Sequence, residues 1–174
     1  VIERNIALIE FALDFDISKK QVQYKEPFLF TKKNYLDTKF STTKKIVLLI
    51  PGASHNSKCY PSKKYIELTK ILDVNYFISW GSESERELAV EIKLESKNVK
   101  ILEKMPLDIL VSVIKKVDLV IGSDTGPTHL AWALNIPSIT LFGPTPGYRN
   151  TYSTKINKII ESDSKVNPRK INKN

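Results

Sequence analysis

The feature that most constrains this chain is the block at residues 117–145, VDLVIGSDTGPTHLAWALNIPSITLFGPT. Residues 118–122 read as a buried strand, 123–126 (Ser-Asp-Thr-Gly) as a tight polar turn and 127–134 as a short helix. A second buried strand follows at 138–142, closed by Gly143-Pro144-Thr145. Two apolar strands joined by a helix over so few residues make a parallel β-α-β unit. Ligands of open α/β sheets sit beyond the carboxyl ends of strands, so the turns after 122 and 142 are where a site is expected.

The same alternation runs upstream. Residues 46–50 are a continuous apolar run ending in Pro51-Gly52, as expected of a central strand buried on both faces. A polar loop leads to a helix over 62–72 with Tyr65, Leu68, Ile71 and Leu72 facing inward. Residues 75–80 form the second strand, stopped by Gly81. Ser82 or Ser84 caps the next helix, and Glu83, Glu85 and Glu87 suit its positive end. Residues 99–102 are a third short strand, and 106–116 a helix burying Leu107, Leu110, Val113, Ile114 and Val117. The reading is five strands alternating with helices, an α/β fold with a largely parallel sheet flanked by helices.

Ahead of this, Ile2, Ile6, Ile9 and Leu13 fall on one stripe at helical spacing, so 1–14 is an amphipathic helix. Residues 18–44 are polar and Lys-rich without sustained periodicity and read as a linker. Within it Phe28-Leu29-Phe30 is a short strand or a docking segment. The organisation expected is an N-terminal helix and linker over 1–44, a ligand-binding domain over 45–163 and a polar tail over 164–174, with fraying from Glu161 onwards.

Composition narrows the class. Hydrophobic residues make up 41% and charged residues 26%, ordinary for a globular domain, and no apolar run is long enough to span a bilayer. The chain lacks a secretory leader pattern and does not begin with Met, which reads as an excised or processed piece of something larger. Cys59 is alone, which excludes an internal disulfide framework. One Cys with His55 and His129 cannot make a structural zinc site. The net charge is +8, but the lysines are scattered rather than gathered as in a nucleic-acid patch. That balance also suits an anionic small ligand or an acidic membrane surface.

Three turns carry candidate chemistry, and all follow strands on one rim. In 122–129 Gly126 permits tight backbone geometry, and the free N–H groups of the turn at a helix start suit a phosphate. Asp124 repels a phosphate and suits a hydroxyl donor. His129 follows about one turn later and faces the same ligand. The plainer alternative is that Asp124 caps the helix and His129 packs on the sheet. An aspartic protease would need two such aspartates on β-rich lobes, whereas a helix follows directly here. After the first strand, Ser54, Asn56, Ser57 and Lys58 place hydroxyls, an amide and an ammonium where a diphosphate could sit, although Gly-Lys-[Ser/Thr] is absent and Lys58 taken alone is an ordinary surface lysine. After the second strand, carboxylates open a helix where ribose hydroxyls are held in nucleotide-binding α/β folds, while charge complementarity at the helix start accounts for at least two of Glu83, Glu85 and Glu87. Met105, beyond the third, lines a base pocket or fills a core gap.

Taken in order, Pro-Gly-Ala-Ser-x-x-x-Lys-x-x-Pro (51–61), Trp-Gly-x-Glu-x-Glu (80–85), Gly-x-Asp-Thr-Gly-x-x-His-Leu-Ala (122–131), Ala-Leu-x-x-Pro (133–137) and Phe-Gly-Pro-Thr (142–145) form a pattern. It resembles the C-terminal domain of the ADP-heptose:lipopolysaccharide heptosyltransferases, over essentially residues 1–150. The resemblance implies the Rossmann-like C-terminal half of a GT-B glycosyltransferase, binding a nucleotide-sugar donor for inverting heptose transfer to the lipopolysaccharide inner core. It implies Ser54 and Lys58 at the diphosphate, Glu85 at the ribose and Met105 by the adenine. Thr125 and Gly126 would offer N–H groups to phosphates, Asp124 and His129 would lie near the heptose or phosphates, and Arg149 would be a further contact. It also implies no obligatory metal and no other cofactor, a general base in an absent N-terminal domain, and a fragment inactive by itself. A cytoplasmic place at the inner face of the inner membrane, with peripheral membrane contact and no nucleic acid, belongs to the same implication. The short Pro51–Lys58 spacing leans towards transfer of the first heptose. Departures are Tyr60 where the family often has Trp, and Pro-Gly-Tyr-Arg-Asn after 145. The alternatives are a GT-B domain for another nucleotide sugar, or a non-catalytic nucleotide- or nucleic-acid-binding module.

Overall fold

A computed structural model describes residues 2–33, 35 and 43–163. Among these, six strands form one sheet: Ile46–Ile50 (β1), Asn75–Ile78 (β2), Val99–Ile101 (β3), Leu119–Ser123 (β4), Ser138–Phe142 (β5) and Asn157–Glu161 (β6). Their order is β3-β2-β1-β4-β5-β6 and every pair is parallel. The order reverses direction between β1 and β4, where Leu49 pairs with Ile121 and Ile50 with Gly122. Such a reversal opens a crevice beyond the carboxyl ends of the two strands.

The helices between strands are Ser62–Ile71 (α3), Glu83–Leu94 (α4), Leu107–Ile114 (α5) and Gly126–Ala133 (α6), preceded by Ile2–Leu13 (α1) and Lys19–Gln23 (α2). The central strand explains the two-layer core. Ile46, Leu48 and Ile50 join Phe77, Val120 and the apolar stripes of α5 and α6 on one face. Val47 and Leu49 join Tyr76, Ile78, Ile121 and the helix residues Tyr65, Ala89 and Ile92 on the other. Each such side chain contributes roughly 1.5–3 kcal/mol through burial, so all five residues of β1 are apolar because neither face meets water.

Several expectations are corrected. A sixth strand, β6, extends the sheet where only five were expected, and Glu161, expected to begin the frayed end, pairs with Phe142 of β5. The 18–44 stretch holds α2, whose N-cap Ser18 forms a capping box with Gln21. Phe28 is a docking residue rather than part of a strand: its N–H donates to the Ala133 carbonyl and its ring meets Trp132 edge-on. Leu29 packs against the α5–α6 core. Residues 34, 36–42 and 164–174, including the expected polar tail, lie outside the described residues.

Ile71 (73% exposed), Leu72 and Leu107 were expected inside and lie outside. All three stand at helix ends, where the apolar stripe outruns the sheet beneath it. The stripe of α1 fares similarly, with Ile9 and Leu13 exposed. Among the described residues no helix is long and apolar enough to cross a membrane.

Candidate functional site

The crevice at the sheet reversal is where the candidate residues meet. Two chain segments build it. Beyond β1, the loop from Pro51 leads into a 3-10 turn, Asn56–Lys58. Beyond β4 comes Asp124, followed by Thr125 at the N-cap of α6. Ser123 ties the two together by donating its hydroxyl to the Pro51 carbonyl at 3.0 Å. Gly122 is required by close approach: a Cβ there would meet Thr128 Oγ1 at 2.4 Å and the Ile50 carbonyl at 2.8 Å. The absence of a side chain therefore lets α6 sit tightly over the rim. Gly126 is different. Its φ is not positive and a Cβ would meet nothing within 4 Å, so the expected tight backbone geometry is not the reason for this glycine.

Asp124 organises the cluster. It is 5% exposed, and a buried carboxylate is costly unless charge and hydrogen bonds offset the lost hydration. Lys58 Nζ donates to Oδ2 at 2.7 Å, His129 Nε2 lies 3.0 Å from Oδ1, and Asn150 Nδ2 reaches both oxygens at 3.2 and 3.0 Å. An ionised carboxylate only accepts, so Nε2 carries the proton of the His129 bond. Burial pushes the carboxyl up, but the His129, Lys58 and Asn150 hydrogen bonds and the Lys58 charge outweigh it, holding the group well below the ordinary carboxylate range. Asp124 is thus neither the cap of α6 nor an acceptor waiting for a ligand; its oxygens are already engaged.

In front of this cluster lies an open cavity of about 580 Å³. Six of the eight residues expected from sequence line it: Ser54, Lys58, Asp124, Thr125, Gly126 and His129. The first N–H groups of a helix have no intrahelical partner, and α6 has no side-chain cap bond, so its positive end faces the cavity. Asn5 of α1, Arg149 and Asn150 complete the lining. Lys58, Arg149 and the start of α6 together make a surface suited to an anion such as a phosphate.

Glu85 and Met105 do not line this cavity. Glu85 accepts from the N–H groups of Gly81 (2.6 Å) and Ser82 (3.2 Å), completing a capping box with Ser82 at the start of α4. Its side chain also lies over Gly52, where a Cβ would meet it at 2.3 Å. Met105 is partly buried and packs against the α5–α6 core. Trp80 stands nearby, its Nε1 donating to the Leu102 carbonyl at 2.8 Å with Arg86 and Lys104 over its ring. Asn150 is the residue that sequence reasoning missed. It lies 26 positions from its partner, and no local pattern marks it.

Comparison with known proteins fits this geometry. The family model described as Glycosyltransferase family 9 (heptosyltransferase) matches residues 1–173. The chain is 38% identical over 180 residues to lipopolysaccharide heptosyltransferase 1 of Campylobacter coli, covering 95% of this chain and 53% of that protein. It is 37% identical over 110 residues to the Pseudomonas aeruginosa protein of the same name, covering 61% of this chain and 31% of that protein. The chain spans about half the length of the first of these relatives, and less of the second. The structure of E. coli heptosyltransferase WaaC with ADP-2-deoxy-2-fluoro heptose superposes with a TM-score of 0.67 at 22% identity, covering 91% of this chain and 48% of that one. At that identity the likeness speaks for the fold.

Proposed function

The chain belongs to glycosyltransferase family 9, the heptosyltransferases, and from that premise we propose that it is the donor-holding part of such an enzyme. The donor is ADP-heptose, and the whole protein transfers its heptose, with inversion, to an inner-core sugar of lipopolysaccharide. The observation that carries this reading is the cavity at the sheet reversal, where Lys58, Arg149 and the uncapped start of α6 converge. A diphosphate needs positive charge and free N–H groups at one place, and this rim supplies both. The fold is that of solved heptosyltransferase structures, one of them with ADP.

Within this reading Lys58, Ser54, Thr125 and Gly126 meet the diphosphate, while His129 stands at the phosphate or heptose end. Asp124 orients Lys58 and His129 instead of taking the ligand itself. Glu85 and Met105 are assigned to the ribose and adenine, further along the rim towards β2 and β3. In that role Glu85 must meet a hydroxyl while still holding the Gly81 N–H. The general base comes from a part of the protein outside this chain, since inverting transfer needs a base set against the acceptor hydroxyl. Residues 1–44 lead from that part, and 45–163 form the donor domain. Lys58 and Arg149 offset the leaving diphosphate charge without an obligatory metal. Both relatives described above carry the name lipopolysaccharide heptosyltransferase 1, which supports transfer of the first heptose. The enzyme works at the cytoplasmic face of the inner membrane, and the +8 charge favours contact with acidic lipid.

Calorimetric titration of the intact protein with ADP, UDP and GDP tests the donor class. ADP is expected to bind well ahead of the other two, and Lys58→Ala to weaken it about tenfold, the loss of one charge-assisted hydrogen bond. Equal binding of the three nucleotides would remove the adenine assignment. Activity that survives EDTA unchanged is expected; loss of it would overturn the metal-free assignment.

A further inference from the structure

We propose that Asn150 is a positioning residue of the donor site, whose amide keeps Asp124 satisfied when the Lys58 ammonium turns from that carboxylate to a phosphate. The proposal rests on the diphosphate reading above and comes from the bonding of each carboxylate oxygen. Among the described residues Oδ1 has His129 at 3.0 Å and Asn150 at 3.2 Å, and Oδ2 has Lys58 at 2.7 Å and Asn150 at 3.0 Å. The Lys58 side chain is 23% exposed and that of Asp124 is 3% exposed, so the ammonium stands between a buried anion and the cavity.

If Lys58 moves to a phosphate, Oδ2 loses its cation and depends on Asn150 alone. A buried oxygen without a donor is costly, so a site lacking Asn150 would hold Lys58 back on Asp124. An amide suits this position because it donates without adding a charge that would compete for the ligand. Its placement is built from distant chain. Asn150 closes the 3-10 turn Gly147–Arg149, donating its N–H to the Gly147 carbonyl at 3.0 Å. The Gly147 N–H in turn donates to Glu161 at the end of β6. The last strand therefore anchors the turn that presents Asn150 to Asp124.

Two substitutions test this in the intact protein, with ADP and inorganic pyrophosphate as probes. Asn150→Ala removes the donor, and Asn150→Asp keeps the shape while facing Asp124 with a second carboxyl. The other charged or titratable groups around the pair, Lys58, His129 and Arg149, are the same in both variants. Without ligand, Asn150→Asp is expected to gain stability relative to wild type in chemical denaturation as the pH falls from 8 to 5. Facing carboxyls raise one pKa in the folded state, so folding takes up a proton there. Parallel curves would show that residue 150 does not face Asp124 and would overturn the proposal.

With ligand, Asn150→Ala is expected to bind both probes about tenfold more weakly at pH 7.5. Asn150→Asp is expected to bind more weakly still, and to recover part of the loss near pH 5.5, when a shared proton restores a donor. Asn150→Ala has no such recovery relative to wild type, which separates donation from mere support of the loop. Wild-type affinity in Asn150→Ala overturns the role of Asn150 while leaving the donor reading intact. A wild-type protein that binds neither probe overturns the donor reading, and this role with it.

Discussion

Two carboxylates stand on the same rim of the same sheet, Asp124 beyond β4 and Glu85 beyond β2, and the fold uses them differently. Asp124 is buried and holds side chains: an ammonium, an imidazole and an amide drawn from three separate segments. Glu85 is half-buried and holds backbone, the N–H groups of Gly81 and Ser82 within one turn of its own helix. The first is a long-range junction that shapes a cavity; the second is a local helix start that also lies over Gly52. A carboxylate at the mouth of a sheet is therefore not by itself a ligand contact, and what occupies its oxygens decides its role.

The difference can be broken at either end. The largest effect is expected from Asp124→Ala, which leaves Lys58 and His129 without their acceptor. About 3 kcal/mol of stability should disappear in chemical denaturation, the loss of several bonds to a buried charge. Next come the two rim glycines. Gly122→Ala presses a Cβ on the Ile50 carbonyl and Thr128 and should cost about 2 kcal/mol, as overpacking does. The atoms nearest a Cβ in Gly52→Ala belong to the Glu85 side chain, which can swing away, so its cost should stay near that of a lost cap, about 1 kcal/mol. If the two glycines cost the same, the contrast between a rigid and a yielding rim fails. Ser82→Ala removes one half of the capping box and should also cost about 1 kcal/mol, with no change in ADP affinity beyond twofold.

The effect most diagnostic in acid concerns the charge of Asp124. Asp124 has a depressed folded pKa, so the folded state binds its proton less well than the unfolded chain. The stability it contributes is present above the unfolded value of about 3.9 and is lost as pH falls through the folded value. Asp124→Asn should therefore flatten the acid limb of the stability curve below about pH 4 while leaving its slope between pH 5 and 8 unchanged. A wild-type acid limb no steeper than that of the variant would contradict the buried, triply bonded carboxylate.

Much of the fold was legible because it is written at short range. The apolar run at 46–50 and the β-α-β block at 117–145 each place their strands to within a residue or two, and periodicity placed four helices between strands. Six of eight expected site residues meet in one cavity, since residues that follow adjacent parallel strands must share a rim. The less legible parts share a cause. Strand β6 alternates weakly, with two of its five residues charged, and is specified by its pairing with β5. The short helix α2 is announced by a capping box rather than by an apolar stripe.

The stripes of α1 and α5 look alike in sequence, yet α5 buries Leu110, Val113 and Ile114 while α1 leaves Ile9 and Leu13 in the open. The sequence by itself determined the α/β alternation and set Asp124-Thr125-Gly126 at a strand end, because local periodicity and turn chemistry act between near neighbours. Only the tertiary structure decided that the oxygens of Asp124 are taken by Lys58, His129 and Asn150. Those partners are brought together by strand order and by a turn anchored on β6, and no spacing along the chain encodes a contact made across the sheet.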